Sequence, residues 1–206
     1  MSSKDLKIKE ILKQSWKKTI EHIWFLVGVQ IAAFALNTVA NFSFLGFFVS
    51  ILVGAILYQV FIRINRGENT TFKNLLSWMS VDRYFQYLLV GIIVAAFVLV
   101  GTILLVVPGI IVAVMLSMAS FIVLDKDSKI SWKDATFWKA IKKSKKMTKG
   151  FRWKIFWFFV LSVLINILGL IALGVGLLVT IPLTGIAFAE IYDRLKSRHV
   201  EAEVIN

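Results

Sequence analysis

Three stretches of this chain carry no charged side chain: Ile23–Ile62, Tyr84–Leu124 and Ile155–Ala189, of 40, 41 and 35 residues. A helix needs about 20 predominantly apolar residues to cross a hydrocarbon core of roughly 30 Å. Each run therefore has the length of two crossings. The apolar fraction of 58% lies above the roughly 45–50% of soluble domains. The pattern predicts one integral membrane domain over residues 1–206 and argues against a soluble enzyme with an anchor. The first twenty residues are charged throughout and lack an apolar core, so no cleavable signal peptide is expected. There is no Cys, which excludes thiolate chemistry.

In chain order, residues 1–22 read as an amphipathic N-terminal helix. Ile8, Ile11, Leu12, Ser15, Trp16 and Thr19 recur at helical spacing, with Lys7, Lys9, Lys13, Lys17 and Lys18 mostly off that stripe. Such a helix lies in the membrane interface or is a solvated cytoplasmic helix. Residues 23–62 form a first hairpin, with spans Ile23–Ala40 and Phe44–Ile62 broken around Asn37–Asn41. Residues 63–83 form a connector. Residues 84–124 form a second hairpin, broken at Pro108-Gly109, where a helical hydrogen bond is lost and a tight reversal is allowed. Residues 125–152 form a basic amphipathic connector. Residues 153–192 form a third hairpin, broken in the Gly-rich portion Gly169–Gly176, and residues 193–206 a polar, mobile tail. The predicted fold is an all-α integral membrane bundle of six transmembrane helices (three helical hairpins) with amphipathic cytoplasmic connectors.

Charge sets the expected orientation. All 24 Lys/Arg and all 12 Asp/Glu fall in the N-terminus, the two long connectors and the C-terminus, and none in the three short turns. With six spans the charged segments share one side, which the positive-inside rule makes the cytoplasm. The expected location is the plasma or inner membrane, multi-pass, with both termini cytoplasmic. All seven Trp lie in the connectors or at adjoining span starts, where an indole ring prefers the interface. Three re-entrant hairpins would give the same charge pattern, with the third and shortest run the best candidate. Lipid-exposed turns inside hydrocarbon leave backbone groups unpaired, which favours full crossing.

The densest charge lies in Lys126–Lys154, with eleven Lys/Arg against two acids. In Trp132–Lys149, Phe137, Trp138, Ile141, Ser144 and Thr148 are predicted on one face and Lys139, Lys142, Lys143, Lys146 and Lys149 on the other. Basic clusters at a cytoplasmic membrane face attract anionic headgroups, at about 1 kcal/mol per residue. Lys139, Lys142, Lys143, Lys145, Lys146 and Lys149, with Trp138 and Trp153, are the candidate lipid- or partner-binding residues. The alternative is a topology signal alone. Net charge of +12 does not call for nucleic acid, because basic flanks follow from membrane orientation.

Ionisable residues deep in a membrane mark ion or proton paths, and the predicted span interiors hold none. The nearest are Glu21, His22, Arg63 and Glu190; Glu190 is either an interfacial carboxylate or the partner of a connector lysine. Gln30, Gln59 and Asn166 are the candidate intramembrane polar site. They line a polar cavity or hydrogen-bond between helices, at roughly 0.6 kcal/mol each. Gly28/Ala32, Gly91/Ala95, Gly109/Ala113 and Gly185/Ala189 have the spacing for close helix contact, and Pro182 for a bend. His22 and His199 stand far apart without a ligand constellation. No phosphate-binding loop or nucleophilic triad is present. No catalytic residue, metal or cofactor is expected, and catalysis ranks last.

The chain reads as three copies of one unit: basic amphipathic segment, span, turn, span. At an offset of 129 residues, Lys13/Lys142, Ser15/Ser144, Lys17/Lys146, Thr19/Thr148, Trp24/Trp153 and Asn37/Asn166 coincide. The stretches Pro108–Asp127 and Ala140–Phe159 combine a Pro-Gly-started span ending in a small acidic turn, a basic Ser/Thr-Lys-Gly helix and an aromatic span start. In this the chain resembles YciC-like integral membrane proteins and the membrane domain fused to some glycerophosphodiester phosphodiesterases. The resemblance implies a membrane part without assigned activity; the catalytic barrel of the fused enzymes has no counterpart in these residues. The expected role is non-enzymatic: membrane organisation or partner docking through a basic cytoplasmic face near anionic lipid, with headgroups and a protein as partners. The alternatives are a small transporter for a lipid-like or neutral solute and a membrane-shaping hairpin protein.

Overall fold

The computed structural model describes residues 6–40, 46–71, 81–104, 118–125, 136–172 and 174–205. Eight helices and no strand occur among them: α1 Ile8–Glu21, α2 Ile23–Ala40, α3 Gly46–Asn65, α4 Val81–Leu104, α5 Ala119–Leu124, α6 Thr136–Met147, α7 Arg152–Ile171 and α8 Leu177–Ile205. The Pro108-Gly109 break, residues 72–80 of the 63–83 connector and the first part of the basic connector lie outside the described residues.

The all-α expectation holds. One helix, Arg152–Ile171, is by itself long and apolar enough to cross a membrane. It belongs to the run singled out as the re-entrant candidate. Ile8–Glu21 and Ile23–Thr38 pass the same test only together, with a bend of 81° between them. Val49–Asn65 and Tyr84–Val94 are shorter apolar helices.

The chain divides into two compact units. One comprises Lys7–Met79 with Val160–Ile191. Here α1 packs on α2 and α3, and α2 on α3. Glu10 in the first turn of α1 and Lys18 in its last complement the helix dipole. Ile11, Ser15 and Thr19 are buried, while Trp16, expected on the same stripe, is 51% exposed. Asn37 does not break α2. Its amide donates to the Ala33 carbonyl at 3.1 Å and its Oδ1 accepts from Ser50 Oγ at 2.7 Å, tying the hairpin tip within and across helices. Phe61 of α3 lies against Gly185 of α8 so closely that a Cβ at 185 would run into its ring. The small residue at 185 is thus what admits Phe61.

The other unit comprises Met1–Leu6, Ser80–Phe159 and Tyr192–Asn206, in which α4, α5 and α6 pack on one another. Gly150, at φ +87°, turns the chain between α6 and α7 in a region that a side chain disfavours. The polar tail differs from expectation: α8 continues through residues 193–205 as helix. Tyr192 and Leu195 are buried, so the segment carries a packed stripe past the apolar run.

The 129-residue offset survives as geometry. Adding it to Ile23, the start of α2, gives Arg152, the start of α7. Thr19 Oγ1 donates to the Ser15 carbonyl at 2.8 Å, and Thr148 Oγ1 to the Ser144 carbonyl at 2.9 Å, with all four residues fully buried.

Candidate functional site

Helix α6 is two-faced. Ala140, Ile141, Ser144, Met147 and Thr148 are buried, whereas Lys139, Lys142, Lys145, Lys146 and Lys149 are exposed and Lys143 half-buried. Trp138 differs from expectation. It is 47% exposed, roughly a third of a turn from the centre of the buried face at 100° per residue. Met147 and Ala140 fill the face instead. No acid occurs between Thr136 and Arg152, so the exposed lysines have no anionic neighbour on their own helix.

From Arg152 the surface changes character within one turn. Trp153 is 69% exposed, Trp157 52% and Phe159 52%. Trp153 stacks on Phe156 at 5.3 Å and meets Trp157 edge-on at 6.1 Å. Further along α7, Leu164, Leu168 and Ile171 are exposed as well. Soluble monomers seldom expose contiguous apolar patches beyond a few hundred Å².

Of the candidate polar residues, Gln30 and Asn166 each reach another helix. Gln30 Nε2 donates to the Leu178 carbonyl at 2.9 Å. That carbonyl lies four residues before Pro182, which has no N–H to offer it. Gln30 on α2 thus supplies the hydrogen bond that the proline removed from α8. Asn166 Nδ2 donates to Thr184 Oγ1 at 3.4 Å, while Asn166 Oδ1 and Thr180 Oγ1 are enclosed without a hydrogen-bond partner. Gln59 is buried on α3.

Two ion clusters were not assembled from the sequence. Glu190 Oε2 accepts from Lys18 Nζ at 3.3 Å; its lysine comes from the N-terminal helix rather than from a connector. The same ammonium donates to Asn65 Oδ1 and to the Asn65 carbonyl, both at 2.7 Å. In the other unit the Asp125 side chain is wholly buried, and its Oδ2 accepts from Tyr192 Oη and from Lys196 Nζ, each at 2.7 Å. Phe121 stacks on Tyr192 at 5.6 Å. A carboxylate taken out of water at this depth is tolerable because its partners come with it. A sequence signal for both clusters exists. Phe61–Asn65 reads Phe-Ile-Arg-Ile-Asn and Phe121–Asp125 reads Phe-Ile-Val-Leu-Asp. In each, the last residue accepts a lysine.

Residues 88–199 match the model of a family described as "Protein of unknown function (DUF975)". The chain belongs to the DUF975 family. The DUF975 match takes in the Asp125 cluster, the basic face of α6, the aromatic start of α7 and α8 as far as His199. It leaves out α1–α3 with Lys18 and Gln30. No curated protein and no solved structure matches the chain, so the likeness to YciC-like proteins is not joined by a named homologue. Among the described residues no group of three His, Cys, Asp or Glu is placed to hold a metal ion.

Proposed function

We propose that this chain is a multi-pass membrane protein that works without catalysis, through a basic inner face bound to anionic lipid. The observation that carries the reading is the junction of α6 and α7. A helix with lysines along its whole open side runs into one whose first turns expose Trp153, Trp157 and Phe159. Cations at headgroup level followed by indoles and then aliphatic side chains match the polarity profile of a bilayer edge. The 81° bend between α1 and α2 suits the same boundary, with α1 in the interface and α2 entering the membrane.

The finer topology is six spans with both termini cytoplasmic, and it rests on the three long apolar runs and on charge segregation. Because the chain has no Cys, single cysteines at Asn41, Val107 or Gly174 report it directly. Labelling from outside alone supports six spans; no labelling from outside supports re-entrant hairpins.

Function is tested by native mass spectrometry of the protein gently extracted from its own membrane, beside a variant with Lys142, Lys143, Lys145 and Lys146 changed to Gln. Fewer co-purified anionic lipids, or loss of a bound protein, in the variant supports the reading. Identical bound species in both reduce the face to a topology signal. In that case the enclosed Asn166 Oδ1 and Thr180 Oγ1 favour the second reading, a path for a neutral solute, which solute flux in vesicles would reveal.

A further inference from the structure

The corner joining α6 to α7 gathers cations round one aromatic ring. Phe151 follows the Gly150 turn, with the Arg198 guanidinium 4.5 Å from its ring centre and Lys154 Nζ 5.9 Å away. Arg152 follows directly, its Nε enclosed and without a hydrogen-bond partner. Lys149, just before the turn, is exposed. The first turn of α7 contains no acid; it holds Arg152 and Lys154, where the helix's partial positive charge favours the opposite sign. Like charges are therefore concentrated at one place, and an enclosed guanidinium N–H there lacks an acceptor.

An anion with several oxygens answers the concentration of positive charge, and Arg152, half-buried as a whole, keeps part of its side chain open to one. The guanidinium fork matches phosphate oxygens better than a single ammonium does. The depth of the corner selects the kind of phosphate. Trp153 and Trp157 are exposed immediately after it, and indoles settle at the membrane–water boundary. A phosphodiester at the corner thus has apolar surface beside it for acyl chains. We infer that Arg152 and Arg198, with Lys149, hold the phosphodiester headgroup of one anionic phospholipid at the Phe151 corner. The inference rests on the reading of α7 as membrane-embedded, and it separates one defined lipid site from the diffuse attraction of the α6 lysines.

The test is a native mass spectrometric titration of the full chain in detergent with short-chain phosphatidylglycerol, phosphatidylcholine and soluble glycerol 1-phosphate. The wild type is expected to bind one phosphatidylglycerol in preference to phosphatidylcholine. Changing Arg152→Gln and Arg198→Gln together should weaken that binding about tenfold, as loss of a charge-assisted contact implies. The variant lacking Lys142, Lys143, Lys145 and Lys146 should keep the single lipid. Equal phosphatidylglycerol affinity in the Arg152/Arg198 variant overturns the corner while leaving the wider reading intact. Loss of the lipid in the lysine variant instead moves the site to α6. Displacement of the lipid by glycerol 1-phosphate at matching concentration overturns the lipid assignment. No preference for phosphatidylglycerol in the wild type overturns the corner and the basic-face reading together. If the double variant does not fold, Arg198→Gln alone, at an exposed position, must still weaken binding severalfold.

Discussion

The segments α1–α2 and α6–α7 share a skeleton and differ in what their charges do. Both begin with an amphipathic helix holding a buried Ser and Thr four residues apart, and both turn into an apolar helix with an exposed Trp near its start: Trp24 at 87%, Trp153 at 69%. The difference falls at one register position. Lys18 of α1 reaches inward to Asn65 and Glu190, whereas its counterpart 129 residues on is Met147, buried at 5% exposure. In α1 the position is a clamp. In α6 it is core, and the cations lie on the open side. A common scaffold has thus been divided between holding the bundle and presenting a charged surface.

Exchanging those two residues breaks the comparison most severely. Met147→Lys would bury an ammonium among Ile141, Ser144 and Thr148 without a prepared carboxylate, and should cost roughly 3–5 kcal/mol of unfolding free energy in detergent. A cost under about 1 kcal/mol would mean that α6 tolerates a clamp. Lys18→Met, the reverse change, should cost about 2 kcal/mol, reduced from the fully buried case because Lys18 is 28% exposed and Glu190 15%. Adding Glu190→Gln should recover part of that loss, and strict additivity would show that the ion pair carries no coupling.

A gentler test uses Gln30, whose counterpart is the exposed Phe159. Gln30→Leu strands the Leu178 carbonyl and should destabilise by about 1–2 kcal/mol. In a Pro182→Ala background, where the alanine would supply the helical N–H, the same change should cost almost nothing. The smallest effect concerns the shared skeleton. Thr19→Val and Thr148→Val should each cost about 0.5–1 kcal/mol, and equally, since both hydroxyls make the same bond at the same depth. Unequal values would show that the two copies differ in their cores as well as their charges.

The sequence made the periodic parts of this architecture readable. The helix bounds expected at Ile23 and Ala40 coincide with α2, and the lysine side of α6 follows from helical spacing, because apolar runs and 3.6-residue periodicity are local properties. The clusters were not readable in the same way. Asp125 meets Tyr192 and Lys196 across 67 and 71 residues, and a carboxylate at the end of an apolar run looks alike whether it faces water or a lysine. The helical extension past Tyr192 was hidden for a related reason. Residues 193–206 have a polar composition, and only tertiary burial of Leu195 and pairing of Lys196 distinguish them from a loose tail. The role of Gln30 required knowing which carbonyl Pro182 had left behind and which helix lay opposite.

The Gln30–Leu178 bond has a consequence for biosynthesis. Gln30 emerges from the ribosome 148 residues before its acceptor, so α2 has been made before α8 exists. When α8 arrives, its backbone is one hydrogen bond short at Leu178, and a carbonyl shut away from water without a partner is costly. The early helix holds the missing donor. A fragment translated without residues 1–40 would deliver α8 with that defect unrepaired. The proline would therefore act as a checkpoint in assembly, since α8 completes its bonding at Leu178 only by docking on α2.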